Sequence, residues 1–254
     1  MLEAIHLTKF YGSTAAVRDV TFALRPGTIL GVLGPNGSGK STTVGILTGL
    51  LEASGGSVRL DGIDVRDRLD EYKAQVGYVP EEALLYTHLT GPEYLALIGR
   101  LRSLPEPVIR RRTDRFMEIF DLTDDRHAQM SGYSKGMRQK ILLSAALLHD
   151  PRILILDEPD SGLDVTSSLV LRTLVQAFAA KSRLVLYSSH VLALVEQVAT
   201  TVLILQKGSI AGHGSIAELR GILQQPSLEH VFRQIVVERD VDAVAHELLE
   251  AMTS

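Results

Sequence analysis

Gly34-Pro35-Asn36-Gly37-Ser38-Gly39-Lys40-Ser41 decides how this chain is read, because it fits the pattern G-x-x-x-x-G-K-[ST]. A strand-like run, Thr28 to Leu33, leads into it, and a helical pattern over Thr42 to Leu50 follows. Glycines at 34, 37 and 39 let backbone N–H groups turn inward around phosphate oxygens, along a path that Cβ atoms would obstruct. The following helix adds about half a positive charge at its N-terminus, and Lys40 adds a full charge directed at β and γ phosphates. Ser41 is placed to coordinate Mg²⁺. The nucleotide-binding stretch therefore runs through Gly34, Pro35, Asn36, Gly37, Ser38, Gly39, Lys40, Ser41 and Thr42.

A phosphate cradle alone does no chemistry. Ile153-Leu154-Ile155-Leu156-Asp157-Glu158-Pro159 supplies the rest, since four apolar residues set two carboxylates at the end of a strand buried on both faces. Asp157 is expected to hold Mg²⁺, directly or through water. Glu158 is expected to polarise the water that attacks a γ phosphate, as a general base or by orienting it.

Outward from these stretches, Leu184 to Tyr187 and Val202 to Leu205 are further Ile/Leu/Val-rich runs, several followed by helical patterns, which predicts an α/β fold. Ser57 to Leu60 before Asp61-Gly62, and Lys207-Gly208 between Val202 to Leu205 and Ile210, read as antiparallel hairpins. The core is thus expected to be a mixed sheet with an antiparallel part. From about 87 to 135 the strand signals give way to a helical insertion, with Ile109, Phe116, Ile119 and Phe120 near one face and Arg110, Arg111, Arg112 and Arg115 on a solvated one. Ser215 with Glu218 forms a capping box, and Val241, Val244, Ala245, Leu248 and Leu249 recur at helical spacing, so the tail, 216–254, is expected to be helical. No repeat or low-complexity linker divides residues 1–254, which read as one domain.

Composition removes several function classes. Lys plus Arg number 26 against 30 Asp plus Glu, a net charge of −4 without a basic tail, so no nucleic-acid partner is expected. Cysteine is absent, which excludes disulfides, thiolate nucleophiles and Cys-ligated metal. The eight histidines include no pair at the i, i+4 spacing of a helical metal site. Met1 to Phe10 lacks a secretory pattern and no stretch reaches the roughly 18 apolar residues of a membrane span, so the expected location is cytoplasmic.

Tyr133-Ser134-Lys135-Gly136-Met137, followed by Arg138-Gln139, resembles the signature of ATP-binding cassette (ABC) proteins, normally written LSGGQ. Asp160-Ser161-Gly162-Leu163-Asp164 resembles the family's D-loop, Ser188-Ser189-His190 its switch-histidine segment, and Gly77-Tyr78-Val79-Pro80 the approach to its Q-loop. Tyr11, in Phe10-Tyr11-Gly12, occupies the place of an aromatic that stacks on adenine. The resemblance covers most of residues 2 to 215. It implies an ATP-binding and ATP-hydrolysing subunit, an ABC-type P-loop NTPase that converts ATP and water to ADP and phosphate with Mg²⁺. It also implies a head-to-tail sandwich with a second copy or a related ABC subunit, in which Lys40 and Glu158 of one subunit meet Ser134 and Gly136 of the other across ATP. A twofold axis lets one sequence build two such composite sites. His190 then serves as the switch residue, and a separate multispanning permease holds the chain peripherally on the cytoplasmic face of the membrane.

Departures from the family pattern fall at named places. The signature has Tyr133 for Leu, Lys135 for the first Gly and Met137 for Gln. Lys135 either approaches phosphate or carboxylates, or keeps its hydration at the surface. After Pro80 stands Glu81 instead of the usual glutamine; a carboxylate binds Mg²⁺ but adds negative charge and cannot donate as an amide does. Glu81 is expected to retain the metal and coupling role, with Glu82 or a shifted loop as the alternative. The signature and Leu228-Glu229-His230-Val231-Phe232 together look like the exporter branch that pairs with ABC-2-type permeases. Two other classes share the cassette chemistry: a soluble ABC ATPase acting on nucleic acid or ribosomes, and a sensor that binds ATP without turnover. Against the first stands the missing second cassette and basic stripe; against the second stand Glu158 and His190.

Overall fold

The computed structural model describes residues 1–82 and 85–236. β1 (Leu2–Tyr11) and β2 (Thr14–Leu24) form a long antiparallel hairpin. Next come β3 (Ile29–Leu33), α1 (Lys40–Leu47), β4 (Gly55–Leu60), β5 (Ile63–Asp64), α2 (Leu69–Ala74) and β6 (Val76–Val79). Two helices, α3 (Gly91–Leu101) and α4 (Glu106–Ile119), precede α5 (Lys135–Leu147) and β7 (Ile153–Asp157). Then follow α6 (Val165–Ala180), β8 (Leu184–Ser188), α7 (Leu192–Val198), β9 (Thr201–Gln206), β10 (Ser209–Ser215), α8 (Ile216–Leu223) and α9 (Leu228–Val236).

These strands make two sheets. One is antiparallel, in the order β2-β1-β4-β5; the other runs β10-β9-β3-β8-β7-β6, parallel from β9 to β6 with β10 antiparallel at its edge. Both hairpins expected from Asp61-Gly62 and Lys207-Gly208 are present, pairing Leu60 with Ile63 and Gln206 with Ser209. The expected α/β fold with a mixed sheet core, an antiparallel part and a helical subdomain is the observed one.

Strand alternation divides the interior into two cores. Ile153 and Ile155 of β7 face a cluster shared with Leu2, Leu7, Val44 and Leu47, while Leu154 and Leu156 face one shared with Leu95, Ile141, Val175 and Val195. The six-stranded sheet is therefore a middle layer, with α1 and the antiparallel sheet on one side and α5, α6 and α7 on the other. Each buried Ile or Leu of β7 contributes about 1.5–3 kcal/mol relative to exposure, which holds the acid-bearing strand end in place.

Several expectations are corrected or refined. In α4, Ile119 is 52% exposed, and the buried positions are Ile109, Thr113 and Met117. Ile119 and Met117 lie about 80° to either side of Ile109 around the helix, and it is the Met117 side that joins the core shared with α3 and α5. Arg112 is not a purely solvated residue: it donates to the carbonyl of Leu148 at 2.6 Å, tying α4 to the end of α5. The capping box of Ser215 and Glu218 starts α8 as expected. Val241, Val244, Ala245, Leu248 and Leu249 lie outside the described residues.

Candidate active site

Strand order assembles the site. Neighbouring parallel strands β3, β8, β7 and β6 end at the same edge of the sheet, carrying Gly34 onward, His190, the Asp157-Glu158 pair and Glu81 respectively. Segments more than a hundred residues apart thus meet at the carboxyl ends of parallel strands, where open α/β sheets bind ligands.

The loop before α1 needs its glycines. Gly39 caps the helix with φ +101, and a Cβ there would stand 2.5 Å from the carbonyl oxygen of Ala16, so only glycine fits. The loop is braced from outside: Gly208 N–H donates to Ser38 O at 3.1 Å, and Arg18 N–H to Gly208 O at 2.7 Å. Lys40 is buried and curls back onto its own loop, donating to the carbonyls of Gly34 at 2.6 Å and Pro35 at 3.2 Å. Burial lowers its pKa, opposed by the charges of Glu158, Asp157 and Glu81. An ammonium held by neutral carbonyls among nearby acids is stored where a phosphate oxygen can replace those carbonyls.

The acids differ as their surroundings do. Asp157 ends β7, and its pKa is raised, first by burial and then by the neighbouring Glu81 and Glu158. Glu158 is 8% exposed and sits at φ +48, a left-handed conformation rarely taken by a non-glycine residue. Its N–H donates to Ser188 O at 3.0 Å, and its Oε2 receives Ser189 Oγ at 3.3 Å and lies 2.8 Å from Nδ1 of His190. His190, 71% exposed, is the solvent-side partner of a buried acid. The left-handed turn at Glu158 aims its carboxylate out of the sheet layer toward the cleft.

That cleft, about 770 Å³, is lined by Gly34, Pro35, Asn36, Gly37, Gly39, Lys40, Ser41, Thr42, Glu81, Asp157, Glu158 and His190. Glu81 therefore shares one space with Lys40 and Asp157. Ala16 and Phe232 line it too, and the sequence reading did not assign either to the site. Phe232 stood inside the stretch read as a branch marker, which was its only available signal. Ser38 is turned beneath the loop, where its N–H donates to Pro35 O at 3.1 Å. Tyr11 is 53% exposed outside the lining, with the ammonium of Lys9 5.6 Å from its ring centroid. Ser134 and Gly136 also lie outside it among the described residues.

Lys135 is exposed, as the surface alternative has it, and its Nζ donates to Ser161 Oγ at 2.7 Å. Ser134 caps α5, accepting from Met137 N–H at 3.2 Å.

The family model described as "ABC transporter" matches residues 17–161. The chain is 34% identical to the ABC transporter ATP-binding protein NatA of Bacillus subtilis (strain 168), over 87% of this chain and 91% of that one. The chain belongs to the ABC transporter family. It is also 32% identical to the linearmycin resistance ATP-binding protein LnrL of the same organism, over 86% of this chain and 70% of that one. A solved ATP-binding subunit of an ABC transporter, 31% identical, superposes with a TM-score of 0.86 over 92% of this chain and 99% of that one. As an ABC ATPase subunit, the chain binds and hydrolyses ATP.

Mg²⁺ fits the donor set. Among the described residues no three acidic or histidine side chains converge into a self-contained metal cage. Mg²⁺ keeps waters and uses one or two carboxylates together with substrate phosphates, and the cleft offers Asp157, Glu81 and the Ser41 hydroxyl in that pattern.

Proposed function

We propose that this chain is the energising subunit of an ABC exporter, in which ATP joins two copies, or one copy and a related subunit, and hydrolysis releases them against a separate membrane permease. The observation that carries the pairing is the division of the site. Lys40, Asp157, Glu158 and His190 share one cleft, whereas Ser134 and Gly136 stand outside it at the start of α5. A helix N-terminus is an anion site, so one on a second subunit completes a cleft left open on its phosphate side.

In this reading the loop N–H groups and Lys40 hold the β and γ phosphates, and Ser134 and Gly136 of the opposing subunit meet the γ phosphate from the other side. Ser41, Asp157 and Glu81 would hold Mg²⁺, which when bound would supply positive charge against the phosphate oxygens. Glu158 accepts the proton of the attacking water or orients it, and His190, in contact with Oε2, keeps that carboxylate aimed. Tyr11, exposed at the end of β1, offers a ring for adenine. ADP lacks the group gripped from both sides, so the closed pair loses its preference over the open one.

Export, an ABC-2-type permease and a peripheral position on the cytoplasmic face rest on the signature variant, on Leu228 to Phe232 and on a relative named for linearmycin resistance. No described helix is long and apolar enough to cross a membrane. The test is salt-resistant co-purification of the chain with a multispanning membrane protein, followed by ATPase assay of that complex. A chain recovered only with nucleic acid or ribosomes would overturn the transport reading.

A further inference from the structure

The first turn of α5 closes on the loop 159–164 of its own chain. Lys135 Nζ donates to Ser161 Oγ at 2.7 Å, and its stem packs on Gly162, where an added Cβ would lie 2.8 Å from Lys135 Cγ. The carbonyl oxygen of Gly162 stands 2.6 Å from where a Cβ on Gly136 would be, an approach that only glycine at 136 permits. One turn further along, the buried Gln139 donates Nε2 to Pro159 O at 3.1 Å, and Lys140 Nζ lies 3.8 Å from Asp164.

The other side of that loop is tied to hydrolysis. Ser161 N–H donates to the carbonyl of Glu158 at 3.1 Å, directly after the left-handed turn that aims the acid. Asp160 accepts from Tyr187, whose strand continues into Ser188, Ser189 and His190, and from Ser168. A continuous set of contacts therefore runs from Ser134 and Lys135 through Ser161 to Glu158.

From this geometry we infer that Lys135 is a positioning residue that couples the two composite sites of the sandwich. It ties the serine presented to the opposing subunit's nucleotide to the loop that orients Glu158 for its own. The inference rests on the sandwich reading above. In a lone subunit the Lys135–Ser161 bond is exposed and contributes little. Closure covers that face, and a charge-assisted hydrogen bond removed from water holds its partners more strongly. The contact therefore acts in the closed state, where hydrolysis occurs. The glycine usual at position 135 has no side chain with which to make it.

Lys135→Met keeps the stem against Gly162 and removes the donor; Ser161→Ala removes the acceptor; Lys135→Arg restores a donor. The measurement is steady-state ATPase kinetics against ATP concentration. The wild type is expected to show a Hill coefficient near 2, the number of sites. Each single variant is expected to lower kcat about fivefold, with KM within about twofold and the Hill coefficient moving toward 1. The double variant should fall no further than either single one, and Lys135→Arg should recover most of the rate. Wild-type kcat and cooperativity in Lys135→Met, or losses that multiply in the double variant, would overturn the coupling. Size-exclusion chromatography of Glu158→Gln in MgATP, beside the Lys135→Met kinetics, separates the two readings. If Glu158→Gln pairs in MgATP while Lys135→Met alone turns over normally, only the coupling falls. If Glu158→Gln stays monomeric, the sandwich falls and the coupling with it.

Discussion

Replacing Glu158 with glutamine keeps the shape of the side chain and removes one negative charge. The carboxylate is almost fully buried, with Ser189 Oγ and His190 Nδ1 on the same oxygen, and an amide oxygen accepts from both. What the amide does not do is accept a proton from water. A positioned general base contributes roughly 10²–10⁴-fold, so kcat should fall by that factor, equivalent to about 3–5 kcal/mol in the barrier. Binding should persist, because the loop, Lys40 and Ser41 are untouched and one of the three carboxylates facing the phosphates is neutralised. Slow cleavage with retained binding means that closed pairs accumulate. Single-turnover hydrolysis measures the first effect, and size-exclusion chromatography in MgATP the second. A kcat within about twofold of wild type, with a monomeric elution volume at saturating MgATP, would refute both the base assignment and the nucleotide-bridged pair.

Lys40→Ala removes the one cation that reaches the phosphates from within the loop, and nucleotide Kd should rise by about 10–100-fold in a fluorescent-nucleotide titration. Glu81→Ala should raise the Mg²⁺ concentration needed for half-maximal ATPase activity, and Glu81→Gln should change turnover in the permease complex; wild-type rates and Mg²⁺ dependence in both would remove Glu81 from the metal set. His149 gives a stability prediction. Burial, assisted by Arg102, lowers its pKa from 6.5 to about 4, and its Nδ1 is buried without a partner. The fold thus favours neutral imidazole, and the unfolded chain takes up the proton first as pH falls. Its contribution is full above pH 6.5 and is lost progressively as pH falls toward 4. Urea unfolding at several pH values should show this loss, and His149→Gln should flatten that part of the profile.

The sequence made the phosphate loop and the Asp157-Glu158 strand end legible because each is local: the glycines, the lysine and the apolar run stand within a few residues of one another. β1 and β2 were not named as strands, and the structure shows why. His6 and Asp19 take φ values of +50 and +51, and register shifts fall between Ala4 and Leu7, so the period-2 alternation is broken where it would have been counted. Ile119 was misplaced because spacing groups it with Val108 and Phe116, whereas packing buries the Thr113 and Met117 side, which is the less apolar in sequence. Lys135 was ambiguous because its partner, Ser161, lies 26 residues away and becomes a neighbour only through packing. Ala16 and Phe232 reach the cleft from β2 and α9 by tertiary placement, a relation that no local pattern encodes.

The position of β3 has a consequence for biosynthesis. Ile29 to Leu33 lie between β8 and β9, so the strand that launches the phosphate loop waits for residues 184–205 before it has either neighbour. At roughly 5–20 residues per second, the ribosome takes on the order of ten to thirty seconds to supply them. A nascent chain therefore carries the anion-binding sequence long before the sheet that shapes it exists. Premature termination anywhere before β8 leaves a polypeptide that displays this sequence but lacks His190 and both flanking strands of β3.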